Sequence, residues 1–143
     1  MPLSRAVLNA SNDPSLAIPK VRNGKTADME AIEDKQAMAR AWERVKWLIA
    51  ARDGHQCRLC GKGCRFGGPI ETRADAHHII FASAGGPDES WNLILLCRAC
   101  HDLIHVVKRF FLSGNADQRD ELGKGCVKVE RQTESGFETV GFI

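Results

Sequence analysis

The sequence predicts an α+β fold: one long helix, then two short strands and a second helix built around metal ligands, then a C-terminal hairpin. Three observations carry this prediction. Two Cys-x-x-Cys pairs, Cys57/Cys60 and Cys97/Cys100, bracket the predicted strands, and cysteines at this spacing grip zinc. Four of the five histidines, His77, His78, His101 and His105, fall within residues 77–105. The stretch from Met29 to Arg52 contains neither Gly nor Pro, as a long helix requires.

Taken in order, residues 1–27 hold Pro2, Pro14, Pro19 and Gly24 among Asn and Ser, with no apolar period. They predict an irregular arm. Arg5, Lys20, Arg22 and Lys25 face only Asp13 there, so the arm is basic. Asp28 reads as the N-cap of the long helix. Within it Met38, Trp42, Val45, Trp47, Leu48 and Ile49 approach helical spacing, and Trp42 and Trp47 are expected in the core. Asp53-Gly54 stops the helix and leads into the knuckle Cys57-Arg58-Leu59-Cys60-Gly61. Residues 61–69, rich in Gly and Pro, form a loop. Residues 72–80 suit a strand, Phe81 to Ser90 a long turn through Gly85-Gly86-Pro87, and Leu93–Leu96 a buried strand. A helix is expected from about His101 to Leu112, stopped by Gly114. Residues 127–132 and 137–142 alternate as a hairpin around Ser135-Gly136.

Composition bounds the partners only loosely. The 143 residues carry 20 basic and 18 acidic side chains, a formal charge of +2, so any polyanion must be met by local patches. Arg58, Lys62, Arg65 and Arg73, against Glu71 and Asp75, form one such patch for phosphates. No apolar run approaches the length of a membrane span, and no signal-peptide pattern is visible at the N-terminus. A cytoplasmic address without membrane contact is the expectation. In such a compartment the cysteines stay reduced and serve as metal ligands rather than disulfides.

Cys57, Cys60, Cys97 and Cys100 make a four-thiolate set with no open position, which suits structural Zn2+. Cys64 and Cys126 lack a partner at ligand spacing and read as free thiols, with Cys64 a weaker contender for the cage. His101 and His105, four apart on a helix, share a face and can converge on one ion. His77 and His78 are strand neighbours whose side chains leave on opposite faces, so one can ligate while the other acts as a base. The motif His-x-Glu followed by Pro-Cys-x-x-Cys, which a nucleobase deaminase needs, is absent, as is the HExxH of a zinc protease.

The run Ala76-His77-His78-Ile79-Ile80, then Gly85-Gly86, then Asn92-Leu93-Ile94-Leu95-Leu96-Cys97-Arg98-Ala99-Cys100-His101, ending at His105, resembles the HNH endonuclease family. Arg52 to Gly61 resembles the segment that opens the family's zinc-bearing branch. The similarity covers roughly residues 50–107 and implies a small ββα-metal (His-Me finger) nuclease core with a structural four-cysteine zinc site, preceded by the long helix. By that resemblance His78 matches the general base and His77 the ion-binding position before it. Asn92 matches the middle letter, which fixes the base-bearing loop and in some members ligates metal. His101 matches the final letter, and with His105 completes a metal-binding HxxxH. Phe81 departs from the family, where many members have proline, at a position that shapes the turn; Asp75 either positions His77 or is merely exposed.

The implied organisation is an arm over 1–27, a nuclease domain over 28–126 and a hairpin extension over 127–143. The implied activity is metal-dependent hydrolysis of DNA, with one catalytic divalent ion (Mg2+, Mn2+, Ni2+ or Zn2+) beside the structural zinc. The alternative is a non-catalytic zinc-binding module for nucleic acid or protein. Small free-standing members suggest a phage-type setting, with a packaging terminase as partner.

Overall fold

The computed structural model describes residues 24–143; the arm expected at the N-terminus lies, up to residue 23, outside the described residues. The chain divides into two compact units, Met1–Arg40 and Ala41–Ile143. Helix α1 (Ala27–Arg52) begins in the first and ends in the second. Its cap is Thr26 rather than the expected Asp28. The Met29 N–H donates to Thr26 Oγ1 at 3.2 Å, satisfying one of the free amides of the first turn. Asp28 falls inside that turn with Glu30, where a carboxylate favours the positive end of the helix dipole. Lys25 and Glu33 add an exposed pair at 2.6 Å.

In the second unit the last turns of α1 bury Ile49 and Ala50. The expectation of a tryptophan core is half wrong. Trp42, Val45 and Ile49 follow the three- and four-residue spacing of one face, and Trp42 is half-buried. Trp47 and Leu48 lie off that face and are 59% and 63% exposed. The helix ends as its sequence suggests: Gly54 takes φ 65°, and the His55 N–H donates to the Ala50 carbonyl at 2.8 Å. That left-handed turn favours glycine.

Strands β1 (Ala74–His78) and β2 (Leu93–Cys97) pair antiparallel, with Ala74 opposite Cys97 and His78 opposite Leu93. Every residue of β2 is buried, and Leu93 to Leu96 are fully so. β2 is therefore the floor of the core, with Ile79, Ile104, Ala116 and Val127 around it. Helix α2 (Arg98–His105) follows β2 directly.

One buried carboxylate ties the end of α1 to this core. Asp53 has a fully buried side chain paired with Arg52 and accepts the Leu95 N–H at 2.9 Å. Arg52 also donates to the Leu93 carbonyl at 2.7 Å. A paired, hydrogen-bonded charge is the form in which a buried carboxylate is tolerated.

The C-terminal part corrects the sequence reading once more. α2 stops at His105, and residues 110–112, expected as the end of that helix, belong to strand β3 (Phe110–Ser113). β3 pairs with β4 (Lys128–Thr133), which pairs with β5 (Gly136–Phe142). The physical reasons are partly local and partly the distant strand that pairs with this segment. Val106 and Val107 are β-branched, Lys108 turns the chain at φ 51°, and Phe111 meets Phe137 edge-on at 5.2 Å across the new sheet.

Candidate active site

Two ligand clusters flank the β1–β2–α2 unit. In the first, Cys57 and Cys60 sit on a tight knuckle in which the Gly61 N–H donates to the Cys57 carbonyl at 2.7 Å. The Arg58 N–H donates to the Leu95 carbonyl at 2.9 Å, fastening this knuckle to β2. Cys97 ends β2 and Cys100 lies in the first turn of α2. The four sulfurs all lie within 4.8 Å of one another, and Cys60 Sγ is 3.7 Å from Cys97 Sγ. Zinc–sulfur bonds of about 2.3 Å give a tetrahedron with edges of about 3.8 Å, so the donors fit that ion in type and spacing.

Cys64 is outside the set, although buried. Burial, with the neighbouring Cys57 and Cys97, pushes its thiol up to about 12. Cys126 is half-buried, with its thiol near the Lys124 carbonyl.

The second cluster is histidine. One nitrogen each from His77 on β1 and from His101 and His105 on α2 lie within 4.8 Å of one another. His77 Nδ1 and His105 Nε2 are 3.2 Å apart. Two nitrogens on one tetrahedral zinc, with bonds of about 2.0–2.1 Å, would stand about 3.3 Å apart. Access is graded: His77 is buried, His101 half-buried and His105 exposed. His77 Nε2 and His101 Nδ1 are buried without a hydrogen-bond partner. Burial, reinforced by His105 and His101, lowers His77 to about 3, which keeps the ring neutral, as a metal ligand must be. Burial also lowers His101, opposed by the charge of Asp75. Asp75 thus acts on His101 as well as lying in sequence near His77. Its Oδ2 is buried without a hydrogen bond, 3.9 Å from Arg98.

A cavity of about 290 Å3 opens onto the cluster, lined by His77, His78, His101, His105 and Phe81 among others. His78 lines the same cavity and is stacked on Trp42 at 5.9 Å with the rings 7° from parallel. Phe81, which opens the turn after β1, packs its ring 4.9 Å from that of His105. Asn92 stands apart from the cavity. It is fully buried and its amide is spent on the loop backbone: its oxygen accepts the Ile80 N–H at 2.8 Å, and its nitrogen donates to the Ile80 and Pro87 carbonyls. It ties residues 80–87 together and does not line the cavity. Gly86 belongs to the same clamp, since a Cβ there would lie 1.8 Å from the Ile80 carbonyl oxygen.

The basic patch is only partly available. Lys62, Arg65 and Arg73 are exposed, but Arg58 turns inward. Its side chain is 7% exposed, faces Asp53 at 3.5 Å and donates to the Ala116 carbonyl at 2.8 Å. Arg58 is therefore removed from the expected phosphate contacts.

The model of the HNH endonuclease family matches residues 57–106, the segment that carries all seven candidate ligands. The chain belongs to the HNH endonuclease family. Its ββα unit is β1, β2 and α2. Two relatives match beyond the family model. The type IV methyl-directed restriction enzyme EcoKMcrA of Escherichia coli K12 is 35% identical over 66 residues, 43% of this chain and 22% of that enzyme. Anaredoxin of Nostoc sp. is 30% identical over 66 residues, 46% of this chain and 72% of that protein. The matched stretch covers about a fifth of the restriction enzyme and most of the smaller relative. No solved structure matches the chain. Among the described residues no helix is long and apolar enough to cross a membrane.

Proposed function

We propose that this chain is a metal-dependent endonuclease that hydrolyses DNA phosphodiester bonds, with His78 as general base. The observation that carries the reading is the convergence of three imidazoles on one point, beside a fourth imidazole in the same cavity. A structural site closes its coordination; three nitrogens opening onto a cavity leave room for water and a phosphate. His77, His101 and His105 would hold the divalent ion, which when bound supplies positive charge to the phosphoryl and leaving oxygens.

The chain's own groups do the rest. The His78 imidazole takes a proton from water as the water oxygen bonds to phosphorus. The bond from phosphorus to the 3′ oxygen breaks, its electron pair stays on that oxygen, and proton return completes a 3′-hydroxyl. The phosphate remains on the 5′ side. Asn92 keeps the loop after His78 in register, and Lys62, Arg65 and Arg73 meet backbone phosphates. Imidazole donors suit zinc or nickel better than magnesium. A cytoplasmic setting belongs to the same reading. Neither relative bears on a phage-type setting or a terminase partner.

The test is incubation of supercoiled plasmid with the folded full chain and added Mg2+, Mn2+, Ni2+ or Zn2+. Conversion to nicked or linear DNA with at least one ion is the expected outcome. A folded, zinc-loaded protein that cuts with none of them is a zinc-binding recognition module instead.

A further inference from the structure

We propose that Asp88 is a positioning residue that holds His78 with its proton on Nε2 and its lone pair on Nδ1. The inference deepens the general-base reading above and rests on it. His78 Nε2 lies 2.7 Å from Asp88 Oδ1. An ionised carboxylate only accepts hydrogen bonds, so Nε2 is the nitrogen that carries hydrogen. In the neutral ring Nδ1 is then the basic nitrogen.

Two contacts from different elements fix the ring. The Asp88 carboxylate anchors one edge, and the Trp42 ring lies along its face. Together they set both the plane of the imidazole and its rotation within that plane. The segment carrying Asp88 is itself held on both sides. The Pro87 carbonyl accepts from Asn92 Nδ2 at 3.0 Å, and the Asn92 N–H donates to the Glu89 carbonyl at 2.9 Å. The Gly86 N–H donates to the Phe81 carbonyl at 3.1 Å. A pinned backbone lets a carboxylate that is 65% exposed keep one place. Exposed pairs add little to stability, so this contact's consequence lies in orientation. His–Asp pairs that fix a tautomer for proton transfer are a general device of hydrolytic catalysis.

The experiment reads the tautomer itself. Imidazole 15N–1H spectra of the full, zinc-loaded chain are recorded at pH 8 for wild type, Asp88→Ala and Asp88→Asn, with His78→Ala assigning the signal. The expected wild-type pattern is protonated Nε2 and bare Nδ1. Asp88→Ala shifts the ring to a mixture of tautomers. Its plasmid-cleavage kcat falls about tenfold to a hundredfold, part of the contribution of a well-placed base, while KM and melting temperature hold. Asp88→Asn, whose amide oxygen still accepts, recovers most of both. A wild-type ring protonated on Nδ1, or an unchanged spectrum in Asp88→Ala, overturns the proposal. A tautomer shift in Asp88→Ala beside undiminished cleavage by His78→Ala overturns the base reading and leaves the hold of Asp88 on His78 standing.

Discussion

Replacing His78 with alanine abolishes cleavage while leaving the fold and the zinc content as they were. A positioned general base contributes about 10²–10⁴-fold to rate, and a residue whose interaction is made only in the transition state lowers kcat and kcat/KM together. His78 suits this variant because it belongs to neither ligand cluster. The loss in stability is confined to the ring's stack on Trp42 and its exposed hydrogen bond to Asp88. Cleavage rate on supercoiled plasmid, circular dichroism and zinc stoichiometry are measured on the same preparation. A folded variant that cuts at the wild-type rate removes His78 as base.

The second large effect is on folding. Changing Cys57, Cys97 or Cys100 to serine opens a cage that joins the knuckle after α1 to the β2–α2 junction. Zinc bound by four thiolates is part of the folding free energy, about 10–16 kcal/mol for small zinc peptides. Whole domains are stable by only about 5–15 kcal/mol, so loss of one ligand leaves little margin and the melting transition collapses. Melting temperature alone does not separate ligand from non-ligand here. Cys64 is buried, and a buried hydroxyl without a partner costs about 1–3 kcal/mol in proteins. The deciding quantity is zinc per chain: Cys64→Ser and Cys126→Ser keep one structural zinc, and Cys60→Ser loses it. The reverse pattern for Cys64 and Cys60 refutes this ligand set.

The two candidate ligand clusters are legible in the sequence because their spacing is dictated by local geometry. A Cys-x-x-Cys knuckle, and histidines four apart on a helix, need no tertiary information to be paired. The buried run Leu93–Leu96 was equally plain, since an apolar stretch of that length ahead of a cysteine has few places to go. What escaped the sequence depended on neighbours distant along the chain. Phe110 to Leu112 continue a helical pattern until β4 offers them a sheet edge. Arg58 looks like a phosphate contact until Asp53 and the Ala116 carbonyl take its guanidinium. Trp42 lies more than thirty positions before His78 and stacks on it, and Asp88 reaches His78 only because the turn through Gly85-Gly86 folds back. Gly86 did carry a signal: a glycine where a loop crosses Asn92 marks a close backbone approach.

The most direct test of a loosely held ion at the histidines beside a closed sulfur cage is a chelator titration followed by three readings on each sample: metal per chain, circular dichroism and plasmid nicking. The cage is closed and its binding is coupled to folding, whereas the histidine cluster includes the exposed His105 and opens to a cavity. The predicted course is loss of nicking at chelator concentrations that leave one zinc per chain and an unchanged spectrum, then recovery when Mn2+, Ni2+ or Mg2+ is returned, weakened in His101→Ala and His105→Ala. Loss of nicking only together with the structural zinc and the fold, or recovery that is indifferent to His101 and His105, would contradict it.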